Sequence, residues 1–148
     1  MALSKLSNLY RQVIMDHAKH PHNNQPLPQA DHEIELRNPT CGDVLTVQLK
    51  IQDDKIIDAA YTGTGCTISQ ASASMMTDQI KGKTTAEVEK MVLGFSDMVL
   101  GKEVPDMERL LGEAAILQSV AQFPARIKCA TLAWKAAYQA IEESENDD

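Results

Sequence analysis

Positive charge and long apolar runs are both scarce in this sequence, and each shortage excludes a class of function. The 14 Lys and Arg are outnumbered by 21 Asp and Glu, which gives a net charge of −7, and no basic cluster forms against that background. Such a chain would repel phosphate backbones, so nucleic acid is not an expected partner. No stretch approaches the length of a membrane-spanning helix, and the N-terminus lacks the pattern of a secretion signal. We expect a cytoplasmic protein with no membrane contact.

Cysteine is scarce as well, and the number and spacing of the cysteines limit the roles that they can have. Three cysteines in a reducing compartment are poor candidates for structural disulfides, and an odd number leaves at least one thiol unpaired. Metal binding or thiol chemistry is therefore a better explanation of the cysteines than a disulfide. There is no Cys-x-x-Cys pair, so spacing alone is a weak signal for a metal site. The competing interpretation is a domain without metal, with two ordinary buried cysteines and one exposed.

What is present predicts one α+β domain over residues 1–148. The hydrophobic fraction of 43% and the charged fraction of 24% are ordinary for a soluble globular protein of this length. The acidic tail from about residue 143 to 148 is expected to fray into solvent.

Periodicity predicts a small three-stranded antiparallel sheet packed with about five or six helices. Alternating apolar residues indicate strands around 34–36, 44–51 and 55–62, and their short connections favour an antiparallel meander. Apolar residues three and four apart indicate helices from Leu6 to His20 and from Pro124 onward. Two further helix starts are indicated by a capping box from Thr84 to Glu87 and by Pro105 at the first position of a short helix.

The second predicted strand draws attention to Cys41 and Asp43. If extension begins that early, both lie on the odd-numbered face that carries Leu45, and an acidic side chain then edges the core. A buried carboxylate is costly unless it is paired or bound to a cation, and a metal shared with Cys41 would satisfy both groups. Gly42 gives the backbone freedom to aim two ligands at one point. The alternative is that Asp43 is a solvated turn residue.

Cys66 and Cys129 each have a functional and a structural interpretation. Cys66 directly precedes a predicted helix, so its sulfur is expected near unpaired N–H groups and the positive end of the helix dipole, which favours a thiolate. A small buried hydrophobe is the alternative. Cys129 falls about 200° from Ile127 on a helical wheel, away from the main apolar stripe, and need not belong to the core. Three thiolates and a carboxylate would make a closed four-coordinate set for zinc.

Three histidines near the end of the first predicted helix also resemble a metal cluster. They are His17, His20 and His22. Histidine is common at helix C-termini because its charged form interacts favourably with the helix dipole, and we prefer that explanation to a second metal site.

Five parts of the chain carry a resemblance to a known family. They are Leu9-Tyr10 with Asp16-His17, Asn38 to Asp43, Gly63 to Ser69, Ala71 to Met76, and Phe123 to Cys129. In them the sequence resembles the U-type iron–sulfur cluster assembly proteins, and most closely the SufU branch found with SufS-type cysteine desulfurases. Each cysteine stands in its own recognisable neighbourhood and in family order. The resemblance implies the SufE/IscU-like fold, a small antiparallel sheet packed with helices.

The same resemblance implies the site and its function. Cys41, Asp43, Cys66 and Cys129 would bind zinc, and Cys41 would also accept persulfide sulfur from a SufS-type cysteine desulfurase, a sulfurtransferase-type activity that supplies downstream cluster assembly proteins. Arg126 and Lys128 would stabilise anionic sulfur or contact the desulfurase. Ordinary surface charge on the first turn of a helix is the alternative for both.

Two departures from the scaffold branch, IscU, favour the sulfur acceptor. The segment from Phe123 to Lys128 stands where that branch has its Leu-Pro-Pro-Val-Lys chaperone-binding motif and a His before the third cysteine, and the interval between Cys66 and Cys129 is longer. Two other functions stay open. One is a scaffold on which iron–sulfur clusters are assembled and passed to apo-proteins, with a cluster in place of zinc. The other is a structural zinc domain that only binds partners.

Overall fold

The computed structural model describes residues 2–40 and 42–146, with side chains described for 11–40 and 42–145. Cys41 therefore lies outside the described residues. Within them the elements are α1 (Ala2–Lys19), β1 (His32–Asn38), β2 (Asp43–Gln52), β3 (Lys55–Thr64), α2 (Thr67–Ile80), α3 (Thr85–Val99), α4 (Met107–Leu111), a 3₁₀-helical segment (Gly112–Gln122) and α5 (Pro124–Asn146). No helix in this part of the chain is both long and apolar enough to cross a membrane.

The three strands form an antiparallel sheet in the order β1-β2-β3, which confirms the predicted α+β class and meander. Asp53 and Asp54 make the turn between β2 and β3, both with positive φ, as a two-residue hairpin requires. Along β2 the odd-numbered residues from Asp43 to Leu49 are buried while the even-numbered ones are half-buried. Period two therefore places Asp43 on the core face, as predicted.

Helices α2 and α5 pack on the sheet and on each other, and α1 and α3 pack outside them. Trp134 of α5 stacks on Phe95 of α3 with ring centroids 4.4 Å apart, and its indole N–H donates to Ser72 Oγ of α2 at 3.0 Å. Met75 and Met76 are buried core residues, as expected. These contacts fix α5 against α2 and thereby the relative positions of the cysteines that the two helices bring.

Helix boundaries follow the sequence signals with two differences. The capping box at Thr84 is present in both directions, which confirms the predicted start of α3. The short helix α4 begins at Met107, so the prediction of Pro105 as its first residue is wrong. The reason is that Asp106 between them has φ of 52°, a left-handed conformation outside the helical region. At the C-terminus α5 continues to Asn146, beyond the residue at which we expected the tail to fray.

Candidate functional site

Three elements that are distant in sequence deliver metal-ligating atoms to one place. Asp43 is the first residue of β2, Cys66 is the N-cap of α2 and Cys129 lies in the second turn of α5. One ligand atom from each lies within 4.8 Å of the other two. A tetrahedral zinc ion with ligands at about 2.0–2.3 Å keeps its ligand atoms roughly 3.3–3.8 Å apart, so a small contraction brings these three into range. The structure thus brings three of the four predicted ligands together, while Cys41 lies outside the described residues and metal binding by the set stays a prediction.

Asp43 is held by hydrogen bonds on both carboxylate oxygens. The Cys66 backbone N–H donates to Oδ1 at 2.8 Å and the Ser69 hydroxyl donates to the same oxygen at 3.1 Å. Asn38 Nδ2 donates to Oδ2 at 3.2 Å. Burial alone raises the pKa of Asp43, but hydrogen bonds from Cys66, Cys129, Ser69 and Asn38 outweigh it and lower the pKa below its ordinary value of 3.8. The side chain is therefore a fixed carboxylate, ready to bind a cation.

Cys66 stands where the sequence predicted, at the start of a helix, and it is half-buried. Its side chain does not cap the helix, and its own N–H is the donor to Asp43. Its carbonyl accepts from the Ser69 hydroxyl at 2.9 Å, which ties the first turn of α2 to the same carboxylate network. The orientation of Cys66 is therefore coupled to that of Asp43.

Cys129 differs from the expectation that it need not belong to the core, because it is completely buried. The wheel compared it with a single apolar stripe, whereas α5 packs against α2, α3, β1 and β2 at once. Alanines on the flank of that stripe, such as Ala136, are therefore as buried as Trp134. The flank that carries Cys129 is covered at the end of the sheet where Asp43 lies.

Sequence reasoning missed two residues that support the ligands. Asn38 is buried, and its Nδ2 lies 3.5 Å from Cys129 Sγ as well as within reach of Asp43. It is the residue opposite Asp43 in the β1–β2 register, a pairing that a strand alignment would have revealed. Ser69 follows Cys66 by three residues, so the one-turn spacing on a helix was the signal available for it.

Gly65 leaves the space that the Asp43 carboxylate occupies. A Cβ at this position would stand 2.6 Å from Asp43 Oδ1 and 2.3 Å from Ser69 Oγ. Both distances are shorter than van der Waals contact, so any side chain here would displace the carboxylate or the hydroxyl. The glycine before Cys66 thus has a packing role in the site.

Arg126 and Lys128 are exposed in the first two turns of α5, close in sequence to the buried Cys129. Arg126 lines a cavity together with Arg11, Ile68 and Phe123, which places it beside the first turn of α2 that follows Cys66. Phe123 is 59% exposed, an unusual position for a large aromatic ring. Cationic and apolar groups therefore share one surface next to the cluster.

The three histidines separate in the structure. His17 is buried and lies near His22, with ring centroids 4.6 Å apart, whereas His20 is exposed. Asp78 of α2 completes a second group of potential ligands with His17 and His22. The preference for a purely helix-dipole role overlooked Asp78, which is distant in sequence.

The described fold and site can be set against known proteins. The family model for the NifU-like N-terminal domain matches residues 9–130. The chain belongs to the NifU-like N-terminal domain family. This confirms the resemblance drawn from the five segments, and the matched range includes Asp43, Cys66 and Cys129.

Two curated relatives cover nearly the whole chain. The iron–sulfur cluster assembly scaffold protein IscU of Streptococcus pyogenes serotype M1 is 51% identical over 146 residues, 99% of this chain and 91% of the relative. The zinc-dependent sulfurtransferase SufU of Bacillus subtilis is 48% identical over 142 residues, 96% of this chain and 95% of the relative. The family is therefore established, while these two names attach different activities to its members.

Solved structures agree with the fold. A crystal structure of a candidate iron–sulfur cluster assembly scaffold protein for the SUF system of Fervidobacterium islandicum AW-1 matches with a TM-score of 0.82 and 37% identity, covering 87% of this chain and 93% of that one. A crystal structure of a hypothetical protein matches with a TM-score of 0.85 and 49% identity, covering 91% of this chain and 98% of that one. The three-stranded sheet packed with helices is thus shared with these two solved structures.

Proposed function

We propose that this protein is a zinc-dependent sulfur acceptor, which takes persulfide sulfur from a SufS-type cysteine desulfurase and supplies it to iron–sulfur cluster assembly. The observation that carries the proposal is the convergence of Asp43, Cys66 and Cys129 in one place, with Cys41 two residues before Asp43 in the chain. The likeness to the Bacillus subtilis SufU, a zinc-dependent sulfurtransferase, supports it from the sequence side.

The donor set fits zinc. Two cysteine sulfurs and a carboxylate oxygen are among its ordinary ligands, and Cys41 as a fourth would close the tetrahedral set. Bound there, zinc would keep the cysteine sulfurs deprotonated without oxidising them, because it has no redox chemistry of its own. Asn38, Ser69 and the Cys66 N–H would hold the Asp43 carboxylate in place before and after metal binding.

We assign the sulfur-accepting role to Cys41. Its thiolate would attack the terminal sulfur of the desulfurase persulfide, forming a new S–S bond on Cys41 as the original S–S bond breaks. The desulfurase cysteine leaves as a thiolate and is reduced while Cys41 is oxidised to the persulfide, so the exchange needs no external oxidant or reductant. Gly42 has φ of 73°, a turn conformation that glycine adopts without strain, and it separates Cys41 from the fixed Asp43.

The surface beside the cluster suits an anionic sulfur donor. Arg126 and Lys128 are exposed in a chain whose net charge is −7, so they provide local positive charge where the proposed partner would approach. The exposed Phe123 adds an apolar contact of the kind common at protein interfaces. We propose that this surface receives the desulfurase, so that Arg126→Ala should raise the desulfurase concentration needed for half-maximal transfer.

The test measures metal content and persulfide together. Wild type and Cys41→Ser are mixed with a SufS-type desulfurase and cysteine, the persulfides are trapped by alkylation, and the peptides are examined by mass spectrometry. We expect one extra sulfur on the peptide containing Cys41 in wild type and none in the variant. Cys129→Ser provides the matched control, because it removes a proposed metal ligand and leaves the acceptor cysteine in the chain. Normal sulfur transfer by Cys41→Ser would refute the assignment.

The scaffold function has its own support, since the Streptococcus pyogenes relative is named an iron–sulfur cluster assembly scaffold protein. Thiolates accept iron–sulfur clusters as well as zinc, so the ligand set does not separate the two functions. Anaerobic reconstitution with iron and sulfide separates them. A brown protein with stoichiometric acid-labile sulfide, able to pass its cluster to an apo-ferredoxin, would favour the scaffold. A colourless zinc protein that accelerates the desulfurase would favour the sulfur acceptor, and zinc without transfer would indicate a structural domain.

A further inference from the structure

A second cluster of potential ligands lies at the other end of α2. One ligand atom each from His17, His22 and Asp78 lies within 4.8 Å of the other two. His17 is near the end of α1, His22 is in the loop after it, and Asp78 is in the last turn of α2. Twelve residues of helix separate Asp78 from Cys66, which corresponds to roughly 18 Å along the axis. The two clusters cannot share an ion.

Each of two ligands in this cluster is oriented by a separate polar partner. His17 Nδ1 lies 2.8 Å from Ser74 Oγ, and Asn23 Nδ2 donates to Asp78 Oδ1 at 3.1 Å. These bonds use one polar atom of each ligand, while the other atoms, His17 Nε2 and Asp78 Oδ2, contact Glu113 and His22 and are the ones that a metal would take. Metal-bound histidines and carboxylates are usually held in this way through the atom that does not bind the metal.

The third ligand is fixed through its backbone. The His22 N–H donates to Ser74 Oγ at 2.8 Å, so the same hydroxyl positions both histidines. His22 Nδ1 contacts Asp78 Oδ2 directly, the oxygen that Asn23 leaves open. Because Ser74 is completely buried and stands one helical turn before Asp78, the cluster rests on a rigid part of α2.

The charge balance of the cluster favours a cation. Glu113 contacts His17 Nε2, so two carboxylates, Asp78 and Glu113, face two imidazole rings that are 4.6 Å apart. Lys81, three residues after Asp78, pairs with Asp58 at 3.2 Å and with the Asn23 side chain instead. A divalent ion bound here would offset the negative charge of these carboxylates.

We propose that His17, His22 and Asp78 form a second metal site for a divalent transition metal of the zinc type, beside Glu113, which contacts His17. Two imidazole nitrogens and one or two carboxylate oxygens suit zinc, cobalt(II) or iron(II) rather than calcium or magnesium. On binding, His17 would carry its proton on Nδ1 and donate it to Ser74 Oγ, which has lone pairs for that bond and for the His22 N–H. His20 takes no part, since it is exposed and outside the group.

Cobalt(II) titration distinguishes this site from the cysteine cluster formed by Asp43, Cys66 and Cys129, because only thiolate ligands give an intense sulfur-to-metal charge-transfer band. Wild-type protein should bind a first equivalent that produces this band and a second that changes only the weak visible d–d spectrum. In His22→Ala and in Asp78→Asn the second equivalent should be lost while the band of the first is retained. Both replaced side chains are partly exposed, so the fold should survive, which circular dichroism checks.

His20→Ala is the matched control, since it removes an exposed histidine from the same segment and should keep both equivalents. Cys129→Ser is the converse variant. Its thiolate band should weaken or vanish, while cobalt(II) should still bind at His17, His22 and Asp78. The second site is thereby tested independently of the proposed sulfur transfer. Binding of a single equivalent by folded wild type, or a second equivalent that persists in both His22→Ala and Asp78→Asn, would overturn the proposal.

Discussion

The two clusters at opposite ends of α2 differ chiefly in burial. Asp43 is 1% exposed and Cys129 is completely buried, whereas in the second cluster His17 is buried but the side chains of His22 and Asp78 are 49% and 36% exposed. A buried carboxylate must find partners within the protein, but an exposed one can be solvated by water. The cysteine cluster therefore needs either a bound metal or a complete set of hydrogen bonds. The histidine cluster of His17, His22 and Asp78 can remain without metal at little cost in free energy. Metal should bind more tightly at the first.

The clusters also differ in how their ligands are held. At the cysteine cluster, Asn38, Ser69 and the Cys66 N–H fix Asp43 from three directions. At the histidine cluster one hydroxyl, that of Ser74, orients both rings. Loss of a single supporting side chain should therefore lower the metal affinity of the histidine cluster more than that of the cysteine cluster. The following substitutions test how the ligands Asp43 and Cys129 are held and whether the second site is independent of them.

Cys129→Ser has the largest expected effect. It removes a sulfur ligand from a buried position, and loss of a ligand costs more than the 10–100-fold that loss of a supporting partner typically costs. We expect zinc affinity at the cysteine cluster to fall more than about 100-fold, measured by competition with a chelator. An affinity within tenfold of wild type would mean that Cys129 is not a ligand, and binding at the histidine cluster should be unchanged.

Gly65→Ala should disturb the cysteine cluster through packing. Its Cβ would meet Asp43 Oδ1 at 2.6 Å, and forcing an extra methyl into a packed site costs about 1–3 kcal/mol of unfolding free energy. Urea unfolding of the metal-free protein measures this loss. Gly94→Ala is the matched control: its Cβ would approach the flexible end of the Leu110 side chain at 2.7 Å and Val104 at an ordinary contact distance of 3.7 Å, and alanine is the better helix former by about 1 kcal/mol. Equal destabilisation by both variants would argue against close packing of Gly65 on the Asp43 carboxylate.

Asn38→Ala separates support from ligation. Asp43 and Cys129 would each lose a hydrogen bond, which should lower the unfolding free energy by about 1–2 kcal/mol and weaken zinc roughly tenfold. The metal should still bind with the same stoichiometry, because no ligand is removed. Asn24→Ala, which alters an exposed loop residue at 3.4 Å from the Tyr61 hydroxyl, should leave zinc affinity unchanged. A complete loss of zinc in Asn38→Ala would indicate that Asn38 does more than support.

Thr84→Ala gives the smallest effect and the baseline for the others. Loss of the cap at the start of α3 should cost about 1 kcal/mol of unfolding free energy, seen as a lower urea midpoint with the same slope. Neither cluster contacts this residue through a described hydrogen bond, so both metal equivalents should persist. A change in either metal affinity would show that general destabilisation alone alters the clusters, and the three larger effects would need correction by that amount.

The sequence by itself predicted most of the helices and strands, because these depend on local periodicity, whereas the ligand set was implied by the family resemblance. Period two along β2 placed Asp43 on the buried face, and the break before α2 placed Cys66 at a helix start. The motifs around the cysteines then indicated the family. Such signals describe one face of one element at a time.

Only the tertiary structure decided which distant side chains meet. The burial of Cys129 follows from α5 being covered on several sides, a property of its neighbours that a helical wheel of α5 alone does not contain. Asn38 reached Asp43 through strand register, and Asp78 reached the two histidines because α2 packs against the end of α1. A periodic pattern fixes the direction in which a side chain points, but its partner is fixed by packing between elements.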